Sequence, residues 1–163
     1  MAIQIFWYIK LMSKKTLKEQ IAAGKDYYFN QWRGHEKICP AFGEKVYITE
    51  VGWNHIAKHP RRVLVDKLIR IRKLPLAREV LETTNSIQTL RKKGKYWQWG
   101  IQAIKGNTRV KIVISSRNKT GTKKILFSVM FKNINRSKQK AIQEHNQRII
   151  REFRKKYPRR LRK

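Results

Sequence analysis

Three stretches near the middle of the chain alternate apolar and polar residues with a period of two, and each is followed by a short turn. "YWQWGIQAI" puts Trp97, Trp99, Ile101 and Ala103 on one face and Gln98, Gly100 and Gln102 on the other. "TRVKIVISSR" groups Val110, Ile112 and Ile114 against Arg109, Lys111, Val113, Ser115 and Arg117. "ILFSVMF" groups Ile125, Phe127, Val129 and Phe131 against Leu126, Ser128 and Met130. Alternation of this kind specifies half-buried strands. The intervening "KGNT" and "NKTGTKK" carry hairpin-turn residues, so the strands pair antiparallel. "SIQTLR" is a candidate fourth strand ahead of them.

The flanking segments are helical in pattern. "TLKEQIAAGKDYYFNQW" (16–32) reads as a helix weakened by Gly24. "HEKICPAFGE" is a connection, "KVYITE" a short strand, and "GWNHIAKH" a short helix closed near Pro60. In "RRVLVDKLIRIRKL", Leu64, Leu68 and Ile71 form a stripe that Val65 and Ile69 widen, with Arg62, Lys67, Arg70 and Lys73 on the solvated side. Pro75 ends or restarts that helix before "LAREVLETT". A last helix starts near Ser137 with Ile142, Ile149, Ile150 and Phe153 as its stripe. It runs into "RKKYPRRLRK", and His145 stands where that stripe would otherwise be apolar.

The expected fold is α+β: N-terminal helices packed on a three- or four-stranded antiparallel sheet, plus a basic C-terminal helix. The segments are an extension over 1–44, a core over 45–133 and a helix and tail over 134–163. The helices should cover the greasy face of the sheet. Gln98, Gln102, Lys111, Ser115, Arg117 and Ser128 then remain on a polar face open to a ligand. The N-terminal "MAIQIFWYIKLMSKK" fits an added strand over Ile3–Leu11, or a start codon called too early, with Met12-Ser13-Lys14-Lys15 as the natural beginning. It has no basic leader and no small-residue cleavage site, which argues against a signal peptide.

Charge narrows the function. The chain has 40 Lys+Arg against 10 Asp+Glu, a net charge of +30. Residues 1–60 carry 9 basic and 5 acidic residues, 61–135 carry 19 and 3, and 136–163 carry 12 and 2. The excess is therefore built into the domain and not confined to a tail. A 40% hydrophobic, 10% aromatic composition supports a folded core. Such a surplus reports a polyanionic partner, with nucleic acid ahead of an anionic membrane surface. No apolar stretch approaches the ~20 residues of a membrane span. The single cysteine, Cys39, excludes an internal disulfide and a Cys-based zinc finger and fits a reducing, cytoplasmic setting.

Two of the four histidines fall in "EVGWNHIAKHPRR". His55 and His59 have helical spacing, which suits a metal clip, an acid–base pair or an ordinary helix turn. The zincin pattern needs Glu after the first His, and Ile56 stands there. Glu50, His35 and Cys39 offer no third ligand at a recognisable spacing. No metal and no cofactor is expected. Two-metal phosphodiester hydrolysis needs clustered carboxylates, and the ten acids are scattered. Metal-free RNA cleavage needs a base near the 2′-hydroxyl, an acid near the leaving oxygen, and cations or donors around the phosphate. His55 and His59 with Lys111, Arg117 and Ser128 complete that inventory. Arg61, Arg62, Arg70 and Lys73, with Arg154, Lys155, Lys156, Arg159 and Arg160 of the tail, are the candidate RNA-binding cations.

"TEVGWNHIAKHPRR", the basic helix after it, "KYWQWGI", "RVKIVISS" and "KKILFSVMF" together resemble the barnase–EndoU–colicin–RelE superfamily of small ribonucleases, often phage-borne or used as toxins. The likeness covers roughly residues 45–133. It implies helices on a four-stranded antiparallel sheet, metal-independent cutting of RNA (often tRNA), a helical His or Arg, basic residues on the sheet and a last-strand hydroxyl. These correspond to His55 and His59, to Lys111 or Arg117, and to Ser128. A toxin of this kind needs an inhibitor or immunity protein, which charge complementarity makes acidic. The competing expectations are a non-catalytic RNA-binding protein on the ribosome and its rRNA, or a DNA-binding phage protein.

Overall fold

The structure, a computed structural model, describes the backbone of residues 2–120 and 122–157. The chain is α+β. A six-stranded mixed sheet carries helices packed on it. The elements run α1 (Ala2–Ser13), α2 (Leu17–Asp26) continuing as a π-helical turn (Tyr27–Trp32), β1 (Ile38–Cys39), β2 (Glu44–Tyr47), α3 (Glu50–Ala57), α4 (Leu64–Arg72), α5 (Leu74–Thr83), β3 (Thr89–Lys93), β4 (Tyr96–Lys105), β5 (Thr108–Ser116), β6 (Lys124–Asn133) and α6 (Arg136–Lys156).

The sheet order is β1-β2-β6-β5-β4-β3. It is larger than the three or four strands expected, and it is not wholly antiparallel. β2 pairs with β6 in parallel through Val46↔Lys124 and Tyr47↔Ile125. β3 to β6 form the antiparallel meander, with two-residue turns between Lys93 and Tyr96 and between Lys105 and Thr108.

Trp99, Ile101, Val110, Ile112, Ile114, Leu126 and Val129 form the buried sheet face. Against them pack Trp53 and Ile56 of α3, Ile71 of α4, and Leu74, Ala77, Val80 and Leu81 of α5. Residues before β2 join the same core, among them Met12, Tyr28 and Trp32.

Four local expectations are corrected. The alternation in residues 3–11 does not make a strand: the segment is α1, which buries Ile5 and Met12 and exposes Trp7 and Leu11. An almost unbroken apolar run satisfies both periods, and the i, i+7 spacing of the buried pair is the helical one. The α4 stripe is largely turned outward, with Leu64, Val65 and Ile69 exposed and Arg70 buried. In α6 the buried polar residue of the stripe is Asn146, whereas His145 is exposed. The fourth correction is in β6. Val113 pairs with Ser128 but Ile114 pairs with Leu126, so Phe127 is an extra, bulged residue. A bulge reverses side-chain parity beyond it. Leu126 and Lys124 therefore face the core in place of Phe127 and Ile125.

That inversion buries a charge. Lys124 is 1% exposed. Its ammonium pairs with Glu44 and lies 5.2 Å from the Phe42 ring centroid and 5.6 Å from that of Trp99. A carboxylate and two aromatic faces supply the compensation that a buried ammonium requires.

Candidate active site

The site begins with a close approach of backbones. A Cβ at Gly52 would lie 2.3 Å from the Leu126 carbonyl oxygen and 2.4 Å from the Tyr28 hydroxyl. Only glycine lets α3 lie this close to β6. Tyr28 Oη donates to the Thr49 carbonyl (2.9 Å) and fixes the start of the helix. His55, one turn further on, meets the bulged Phe127, with ring centroids 4.2 Å apart.

α3 ends at Ala57, so His59 lies beyond the helix and not on it as the spacing suggested. Pro60 disfavours helical geometry for the residue before it. The two imidazoles still meet edge to face, with centroids 5.0 Å apart. Nδ1 of each is buried and makes no hydrogen bond. Nε2 of each is then the nitrogen that can reach a substrate. A buried nitrogen without a partner is costly, and such groups concentrate where function requires them.

Cations surround the pair. Arg62 donates to the carbonyls of His55 and Ile56, capping the end of α3. Its Nε pairs with Asp66 at 3.1 Å, and Asp66 also pairs with Arg70 at 3.0 Å. Arg70 donates in turn to the Val129 carbonyl and to Ser128 Oγ (3.4 Å). A chain of polar contacts thus runs from the histidine backbone to the last strand. Burial, then the charges of Arg62, His59, Arg70 and Lys93, hold the His55 pKa down at about 4. His55 is neutral at neutral pH.

The structure brings together His55, His59, Arg62, Arg70 and Ser128. Arg70 and Ser128 are buried at 7% and 4% exposure, so neither stands on the open surface expected of it. Lys111 is half-buried on the same sheet face as Ser128, offset by two positions on β5, and it lines a cleft towards α6. Arg117 lies past the end of β5 and is exposed. Arg61 is exposed beside the histidines. Lys73 is elsewhere: its ammonium lies 3.3 Å from Thr108 Oγ1 and 3.5 Å from Asn133 Oδ1, at the other end of β5 and β6. Arg154, Lys155 and Lys156 are exposed on α6, with Arg154 donating to Ser86 Oγ (3.1 Å). Arg159 and Arg160 fall outside the described residues.

Sequence reasoning missed Phe127 and Lys93. Phe127 was placed on the core face because nothing in "ILFSVMF" marks the bulge. Lys93 is one of several lysines in a hairpin, and only the folded sheet brings its charge to bear on His55. Cys39 is buried, and burial pushes its thiol up to about 11, which removes it as a nucleophile. Among the described residues no group of three or more His, Cys, Asp or Glu side chains is placed to hold a metal ion. No described helix is long and apolar enough to cross a membrane. No protein-family model, no curated protein and no solved structure matches this chain.

Proposed function

We propose that this protein is a metal-independent endoribonuclease of the barnase–EndoU–colicin–RelE kind, acting on cytoplasmic RNA such as tRNA or rRNA. The observation that carries the reading is the His55–His59 pair. Its two rings are in contact, and both buried Nδ1 atoms lack partners. Arg62, Arg70 and Lys93 lie close enough to depress His55.

A neutral imidazole inside a cationic field is a base that phosphate binding itself strengthens. An RNA phosphate beside Arg62 and Lys93 offsets their charge, and the affinity of His55 for a proton rises as substrate arrives. His55 then removes the ribose 2′ proton, and the 2′-oxygen attacks the adjacent phosphorus. His59 or Lys111 protonates the departing 5′-oxygen. The products are a 2′,3′-cyclic phosphate and a 5′-hydroxyl. Ser128 acts through Arg70, whose guanidinium it helps to hold. The basic C-terminal helix supplies sequence-independent phosphate contacts through Lys155 and Lys156. An acidic inhibitor protein is the natural partner of such a surface.

The test is incubation of total RNA with the protein in EDTA. Discrete fragments bearing 2′,3′-cyclic phosphate ends are expected, and DNA should stay intact because it lacks the 2′-hydroxyl. RNA that is retarded on a gel but uncut would overturn the catalytic reading in favour of an RNA-binding protein. Activity lost in EDTA and restored by zinc would make the histidine pair a metal site.

A further inference from the structure

We propose that the cleft between β4, β5 and α6 is a nucleotide-binding site that selects the base beside the bond cut at the histidine pair, an inference that rests on the ribonuclease reading. The cleft has a volume of about 210 Å³, and its lining includes Gln88, Gln102, Arg109, Lys111, His145 and Asn146. That is below the ~300–1,000 Å³ of pockets for drug-sized ligands and suits a single nucleotide.

Its central feature is a polar contact that packing alone does not call for. The α6 stripe runs Ile142, Asn146, Ile149, Ile150 and Phe153, at the i, i+4, i+7 spacing of a buried face. Asn146 interrupts it and is only 7% exposed. Its Oδ1 accepts from Gln102 Nε2 at 2.6 Å. Gln88, 7% exposed, is spent on the backbone: its amide donates to the Gln102 carbonyl (2.8 Å), and its Oε1 accepts from the Gln102 N–H (2.7 Å). Leucine at both 102 and 146 would seat the helix on the sheet without desolvating two amides.

The Asn146–Gln102 bond uses one donor and one acceptor. Asn146 Nδ2 and Gln102 Oε1 make no further hydrogen bond with described residues. A donor and an acceptor thus stand side by side, which is what the Watson–Crick edge of an unpaired RNA base requires. The floor is open because residue 100 is glycine. A Cβ there would lie 2.1 Å from Thr89 Oγ1, and Gly100 lines both this cleft and the adjoining one.

Arg109 and Lys111 supply charge for the sugar–phosphate. Lys111 also lines the adjoining cleft with Arg91 and Gln98, and it shares the sheet face of Ser128. A base held at Gln102 and Asn146 would set its phosphate at Lys111, on the path to His55.

The experiment titrates AMP, CMP, GMP and UMP separately into the isotope-labelled full chain and follows the side-chain amide resonances of Gln102 and Asn146 by NMR. One nucleotide should saturate these signals at least tenfold more tightly than the poorest. The double variant Gln102→Leu/Asn146→Leu should keep or raise the melting temperature, lose that preference, and spread RNA cleavage over all four bases. If it does not fold, Asn146→Asp replaces a donor with an acceptor and should change the preferred nucleotide.

Four equal titrations, or a preference that survives these substitutions, would show that the amide pair only fixes helix register. RNA cut by a protein whose amide signals never respond would overturn the base site and leave the nuclease reading standing. Selective binding of one nucleotide by a protein that cuts no RNA would do the reverse.

Discussion

The imidazole of His55 packs on the ring of Phe127, 4.2 Å between centroids, because β6 carries one residue more than its partner strand. Without the bulge Phe127 would point into the core and His55 would face solvent. The bulge thus sets both the position and the protonation of the proposed base.

The first prediction follows from that protonation. His55 titrates at about 4 in the folded chain, against an ordinary histidine value near 6.5. The unfolded ring takes up a proton that the folded ring refuses. His55 therefore favours the fold fully above pH ~6.5, and that contribution is lost as pH falls towards 4. An NMR titration of the His55 ring protons should show the low midpoint, and Phe127→Ala should move it up by relieving desolvation. In catalysis the acid limb of kcat/KM reports the free enzyme's base and should fall near pH 4. An acid limb at the ordinary histidine value would exclude His55 as that base.

Replacement of either histidine separates chemistry from binding. His55→Ala and His59→Ala should each slow cleavage by the ~10²–10⁴-fold typical of a lost proton-transfer group. RNA affinity, measured by filter binding at fixed salt, should barely change, since a neutral imidazole adds little to phosphate binding. Wild-type cleavage rates in both variants would make the pair structural.

The buried ion pair gives a stability test independent of function. Glu44→Gln leaves the ammonium of Lys124 in the core with a weaker partner and should cost about 1–3 kcal/mol in denaturant unfolding. Lys124→Met combined with Glu44→Gln removes both charges at similar volume and should return stability to within ~1 kcal/mol of the parent. An additive loss in the double variant would mean that Lys124 contributes through contacts other than its charge.

These arguments use residues that differ in how well the sequence reveals them. The β4–β5–β6 meander was legible because Trp99, Ile101, Ile112 and Ile114 alternate cleanly and the turns between strands are short. The proximity of His55 and His59 was legible too, although His59 reaches its partner from beyond the helix end. β1 was not, since Ile38–Cys39 is too short for a period and pairs only with β2. Helix α1 was misread because an apolar run fits two periods. The bulge at Phe127 carries no glycine or proline to announce it, so half of β6 was assigned to the wrong face. Arg70 looked like a solvated cation. Its burial depends on Asp66 and on the Val129 carbonyl, partners that meet only in three dimensions.

The last prediction concerns the basic surface of α6. Arg154, Lys155 and Lys156 are exposed in its final turn, where cations also oppose the helix dipole. Of the three, Arg154 is partly committed to Ser86. If these side chains hold RNA phosphates, each contact removed should lower the slope of log affinity against log salt by about 0.7 for a single strand. Replacing all three by Gln should therefore reduce the slope by roughly 2, less whatever Arg154 keeps for Ser86. The loss should be the same for unrelated RNA sequences, because phosphate contacts carry no base information. Fold stability should change little, since Arg154 alone has a fixed protein partner. Fluorescence anisotropy across a series of KCl concentrations measures the slope directly. An unchanged slope in the triple variant would show that the end of α6 touches no phosphate, and the charge that binds RNA would then lie on the sheet, around Lys93, Arg109 and Lys111.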